Sequence, residues 1–137
     1  DRHHTRLIKY YSGLTQIMPI YSVFFVFFSM ANLGFPGTSS FSGEFLTLIG
    51  SFQSNTLTTV LASTGMILGA VYSLWLCNRV VFGPLKTTYI NFYTDMNRRE
   101  FAVLIPLVLC TIWMGVYPEV FLDPMHVSVS NLLQKSN

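Results

Sequence analysis

The residues of this chain best suited to chemistry lie in the stretch Asn32 to Phe45, "NLGFPGTSSFSGEF". Glu44 is the only acid between Asp1 and Asp95, and its flanks, "VFFVFFSMA" and "LTLIG", are apolar. Low dielectric makes a carboxylate costly to ionise. The positive end of a helix opposes that cost, favouring the anion by ~0.3–1 kcal/mol, or ~2 kcal/mol when partly buried. A carboxyl held between these influences can take up and release a proton. An ionisable group at membrane depth is therefore a functional candidate by default.

The elements that must position Glu44 follow from its neighbours. Gly34, Pro36 and Gly37 oppose continuous helix, proline costing ~3 kcal/mol and each glycine ~1 kcal/mol in a helix interior. Thr38, Ser39 and Ser40 offer cap oxygens for a new helix beginning near Phe41, which puts Glu44 in its first turn. The pattern predicts half-helices over about 18–33 and 41–52 with a break at about 34–40. Unwound backbone at membrane depth survives only when buried in protein or lining a wet cavity, and many transporters build ion sites at such breaks. Other readings of the same residues stay open. Glu44 could pair statically with a Lys or Arg of another helix, or lie wet near an interface. The Gly-Pro cluster could also be an ordinary loop, giving four short spans.

Composition sets the class. Of 137 residues, 51% are hydrophobic and 10% charged, against ~25% charged in soluble domains. The expected fold is an all-α polytopic membrane protein with three transmembrane segments, the first a discontinuous helix. Its parts are a basic lead-in over 1–16, the broken span over 17–52, a span over 57–82, a basic loop over 83–100, a span over 101–117 and a tail over 118–137. As one straight helix, 17–52 would reach about 54 Å at ~1.5 Å per residue, against a hydrocarbon core of ~30 Å. The second span carries Gly65, Gly69 and Ser73 at steps of four, a small-residue stripe suited to close helix packing. Pro106 is a tolerated kink in the third span, Trp113 and Tyr117 suit an interfacial belt, and "PMHVSVSNLLQ" could form a short interfacial helix.

Counted on alternating sides, Arg2, Arg6, Lys9, Arg79, Lys86, Arg98 and Arg99 fall together and only Lys135 opposite. The positive-inside rule then places the N-terminus and the 83–100 loop in the cytoplasm or mitochondrial matrix, and the C-terminus across the membrane. A net charge of +2 with no basic stripe gives no reason to expect a nucleic-acid partner. Cys77 and Cys110 read as small buried hydrophobes, and His3, His4 and His126 lack ligand partners at metal spacing, so no metal site is expected. No glycine-rich nucleotide loop or cysteine run marks a flavin, iron–sulfur or quinone site. The opening "DRHHTRLIKYY", with neither Met nor an apolar leader, reads as the middle of a longer protein.

The sequence also resembles a known family. His4-Thr5-Arg6, Ala31-Asn32-Leu33-Gly34, Pro36-Gly37-Thr38, Phe41, Gly43-Glu44-Phe45 and Gly50-Ser51-Phe52-Gln53, with "GMILGAVYSLWLCNRVVFG" and "MGVYPEVFLDPMH" downstream, resemble the antiporter-like membrane subunits of respiratory complex I. Glutamate rather than lysine at position 44 favours the subunit 4 branch, in its plant and algal mitochondrial form. The resemblance covers essentially the whole chain and implies the last three of about fourteen helices, the first of them broken. It implies proton translocation in the mitochondrial inner membrane, with Glu44 in the relay and the N-terminus toward the matrix. NADH, FMN, iron–sulfur clusters and ubiquinone are expected on other subunits, with no cofactor in this chain. The charged residues that the family carries on earlier helices are missing here. The expected partners are therefore membrane lipid, neighbouring antiporter-like subunits and the N-terminal part of the same subunit on a separate chain. Two rivals remain: a structural module completing helix packing, and a subunit of a cation/proton antiporter outside respiration.

Overall fold

The computed structural model describes residues 4–85 and 94–136. Every regular element among them is helical: α1 (Pro19–Asn32), α2 (Ser39–Ser54), α3 (Thr56–Val80), α4 (Arg98–Val116) and α5 (Glu119–Lys135), preceded by two single 3-10 turns. Among these, α3 and α4 are each long and apolar enough to cross a membrane. By contrast α1 and α2, at about 21 and 24 Å for ~1.5 Å per residue, are each shorter than a ~30 Å hydrocarbon core. Helix α2 packs on α3 and α4, and α1 packs on α3.

The lead-in is a docked segment. Leu14 and Met18 form a small buried cluster with Val80 and Val81, covered by Ile8, Tyr11, Tyr21, Phe25 and Leu76. Both the amide and the hydroxyl of Thr15 donate to the Val81 carbonyl. Gly13, at φ +67°, lies so close to Gly83 that a Cβ there would come within 2.8 Å of the Gly83 carbonyl oxygen. The 3-10 turns thus tie the chain entrance to the end of α3. Phe24 meets Phe101 edge-on at 5.6 Å, linking α1 to α4.

The polar residues left between the first two expected spans, 53–56, are helical except Asn55, which alone separates α2 from α3. Thr47 and Ser51 donate their hydroxyls to the carbonyls of Gly43 and Thr47, four residues back. Such self-satisfied hydroxyls let a polar run stay helical in apolar surroundings. Asn55 also starts α3, its side-chain oxygen accepting from the Thr58 amide at 3.3 Å. At the entrance to α4 the Glu100 carboxylate accepts from the Asn97 amide at 3.1 Å, an Asn-x-x-Glu capping arrangement legible in the sequence. Beyond α4 the tail forms α5 over Glu119–Lys135, longer than the short helix expected there, with Phe121 edge-on to Trp113 at 5.2 Å.

Outer surfaces carry the membrane signature. In the most apolar window of α4 no residue is buried within the chain, and Leu68, at the middle of α3, is 65% exposed. Apolar surface this continuous calls for lipid or other helices around it. Lys86 and Arg2, counted among the basic residues of one side, lie outside the described residues.

Candidate functional site: the turn before α2 and the Glu44 carboxyl

Two local motifs end α1 and start α2. Gly34 sits at φ +78°, the left-handed region that glycine enters without steric cost. Its amide donates to the Ala31 carbonyl and the Phe35 amide to the Met30 carbonyl. This is the pair of reverse bonds of a Schellman motif, which closes α1 and satisfies two of its final carbonyls. A β-turn follows at once. The Thr38 amide donates to the Phe35 carbonyl at 3.1 Å across Pro36 and Gly37, and Gly37 has φ +93°. Proline then glycine with that positive φ is the sequence a type II turn requires.

Two details differ from the sequence reading. Thr38 occupies the N-cap position of α2, yet its hydroxyl donates to the Phe35 carbonyl at 2.6 Å and caps no helix amide. Ser39 and Ser40 lie within α2, so the connection between α1 and α2 spans 33–38, and Glu44 falls in the second turn of the helix. Its distance from the helix end weakens the dipole contribution, which fades within the first turn.

The Glu44 carboxyl folds back on the turn. One of its oxygens, Oε2, is buried and has no hydrogen-bond partner among the described residues. A Cβ added to Gly34 would lie 2.9 Å from the carboxyl carbon and overlap Oε2. The bare Cα of Gly34 is thus the seat of the carboxyl. Around it Asn32, Ser40, Thr47, Gly65, Gly69 and Tyr72 line a groove of about 610 Å³. Gly65 and Gly69 face this groove, while Ser73, the third member of the stripe, is buried at the α1 side. A Cβ at Gly65 would meet nothing within 4 Å. Among the described residues Gly65 therefore borders open space beside Glu44.

One contact had no counterpart in the sequence reading. Gly115, near the end of α4, lies directly against the turn: a Cβ there would overlap the Gly37 carbonyl and come within 2.6 Å of the Thr38 carbonyl carbon. A glycine inside an apolar helix was the only local sign of it. Among the described residues no group of three or more His, Cys, Asp or Glu comes together. Cys77 is buried and Cys110 exposed, against the expectation that both are buried.

The family model for the NADH:quinone oxidoreductase/Mrp antiporter transmembrane region matches residues 1–69, which include the turn, Glu44 and all of the groove lining except Tyr72. The chain belongs to this antiporter-type membrane family. Relatives within it are similar over 98% of the chain. NADH-ubiquinone oxidoreductase chain 4 of Marchantia polymorpha is 60% identical, and that of Arabidopsis thaliana 58%. NADH-quinone oxidoreductase subunit M of Rhodobacter capsulatus is 51% identical. The chain spans about a quarter of the length of these relatives: 27%, 27% and 26%. The family relationship is thus the one suggested by the residues around Glu44, and chain 4 relatives include plant and algal members.

Proposed function

We propose that this chain is part of a membrane-arm subunit of a proton-pumping NADH:ubiquinone oxidoreductase, and that Glu44 takes up and releases the translocated proton. In this reading α1 and α2 form one discontinuous span, and α3 and α4 are the second and third spans. The carrying observation is the Glu44 carboxyl, with one oxygen buried against Gly34, unpartnered among the described residues, and open space beside it. An unpaired buried oxygen is costly, and a proton or a water entering the groove relieves that cost. Gly34, Pro36 and Gly37, with Thr38, hold the interruption; Gly65 and Gly69 leave room for water or for a neighbouring helix. Family membership and the chain 4 relatives support the assignment.

The remaining proton stations belong to neighbouring antiporter-like subunits and to the N-terminal part of the same subunit on a separate chain. NADH, FMN, iron–sulfur clusters and ubiquinone are assigned to other subunits. The location that fits is the mitochondrial inner membrane, with the lead-in toward the matrix and α5 on the opposite side, as the basic residues indicate.

Glu44→Gln in the assembled complex tests the relay. Proton pumping and quinone-linked turnover should fall while NADH oxidation at the flavin site stays near its original rate. Wild-type pumping together with wild-type turnover would refute it. The same pumping assay separates relay from static ion pairing, because a structural partner lost to Gln lowers complex abundance without lowering protons moved per electron.

A further inference from the structure

We infer that Gly115 of α4 is a positioning residue for Glu44, acting through the turn that precedes α2; this rests on the relay reading above. Glycine inside a helix costs ~1 kcal/mol relative to alanine. Gly115 has no positive φ to require it, since among the described glycines only Gly13, Gly34, Gly37 and Gly83 do. The requirement comes from contact. A Cβ at Gly115 would overlap the Gly37 carbonyl and lie 2.6 Å from the Thr38 carbonyl carbon. Both are backbone atoms and cannot rotate aside as a side chain could. On the opposite side of the turn, a Cβ at Gly37 would meet nothing within 4 Å. Helix α4 is therefore the surface on which the Gly37–Thr38 peptide rests.

From that peptide the path to the carboxyl is short. Thr38 is 6% exposed, and α2 begins at the next residue. Its amide and hydroxyl both tie it to Phe35, whose own amide belongs to the motif holding Gly34 in the left-handed conformation. Gly34 in turn seats Glu44. Adding a methyl group at 115 pushes the turn off α4, tilts the start of α2 and changes the fit between Gly34 and the carboxyl.

The test uses the assembled complex carrying the full chain. Gly115→Ala should lower quinone-linked turnover on the order of 10-fold, within the ~10²-fold that a 1 Å misplacement of a reacting group can cost. It should also shift the Glu44 carboxyl band in pH-induced difference infrared spectra, the band being assigned by its loss in Glu44→Gln. In the Glu44→Gln background Gly115→Ala should cause no further loss of turnover. Gly50→Ala, where an added Cβ also meets nothing within 4 Å, should leave turnover and band unchanged. Equal losses in both backgrounds with an unshifted band would make Gly115 merely structural and overturn the inference. Should Gly115→Ala fail to assemble, Thr38→Val loosens the same turn without adding volume, and an unmoved Glu44 band there would overturn it equally. Failure of the relay reading alone is recognised separately: Glu44→Gln then leaves turnover intact, while the band in Gly115→Ala still reports whether the carboxyl has moved.

Discussion

The Cα of Gly34 and the carboxyl of Glu44 are packed against each other, ten residues apart across the turn, with Oε2 buried at the contact and unpartnered among the described residues. Gly34 serves two requirements at once. Its φ of +78° closes α1, and its missing side chain leaves the space that the carboxyl occupies.

Gly34→Ala should therefore be more damaging than strain at one residue explains. The left-handed conformation costs a non-glycine residue ~1–2 kcal/mol, and the new methyl group must also displace the carboxyl. The double variant Gly34→Ala/Glu44→Ala removes the collision and keeps the backbone strain. Thermal unfolding of the assembled complex should thus show part of the lost stability restored in the double variant. No restoration would mean that the contact does not constrain the pair.

Asn55 is the whole connection between α2 and α3, and its side-chain oxygen holds the Thr58 amide. Asn55→Ala should lower stability by ~1 kcal/mol, the usual cost of losing an N-cap. Asn55→Asp keeps an acceptor and should retain most of it. Equal melting temperatures for wild type and Asn55→Ala would show that the cap contributes nothing.

What could be read in the sequence was whatever acts locally or through composition. Helical, membrane-type character follows from apolar content, and the turn-forming chemistry of Gly34, Pro36 and Gly37 is set by backbone sterics within four residues. Where two local outcomes compete, residue type alone does not decide. The Thr38 hydroxyl had either the α2 amides or the Phe35 carbonyl to bond, and only the turn geometry selects the second. Ser51 and Ser54 resemble loop residues by composition but continue α2 by bonding back to carbonyls four residues earlier. Long-range contacts left the weakest signal. Gly115 and Gly37 are 78 positions apart, and neither announces the other. The lead-in over 1–16 shows its basic and aromatic residues in the sequence but not its docking on Val80 and Val81, which depends on where α3 ends.

Leu68 tests the membrane assignment of α3. It lies at the centre of Thr56–Val80 and is 65% exposed. Leu68→Arg should cost ~3 kcal/mol in membrane insertion, the difference between leucine and arginine at a helix centre. A glycosylation-site insertion assay on the α3 segment should show a large fall in the spanning fraction. Insertion as efficient as wild type would indicate that Leu68 faces water or protein rather than lipid.

Gly65 separates two uses of the small-residue stripe. It borders the Glu44 groove, and an added Cβ meets nothing within 4 Å. If the groove carries water to the carboxyl, its volume is the quantity that matters. Gly65→Ala removes little volume and relieves ~1 kcal/mol of helix cost, so the complex should assemble normally and pump at a modestly reduced rate. Gly65→Leu fills the space beside Glu44 and should slow quinone-linked turnover severalfold, leaving the flavin-site reaction unaltered. If the stripe instead receives a neighbouring helix, the order of effects changes: both substitutions push the helices apart, and subunit association weakens before turnover does. Native gel abundance and turnover measured on the same membranes decide the matter. Normal abundance with slowed pumping in Gly65→Leu supports the groove, whereas complex loss already in Gly65→Ala would assign the stripe to helix packing.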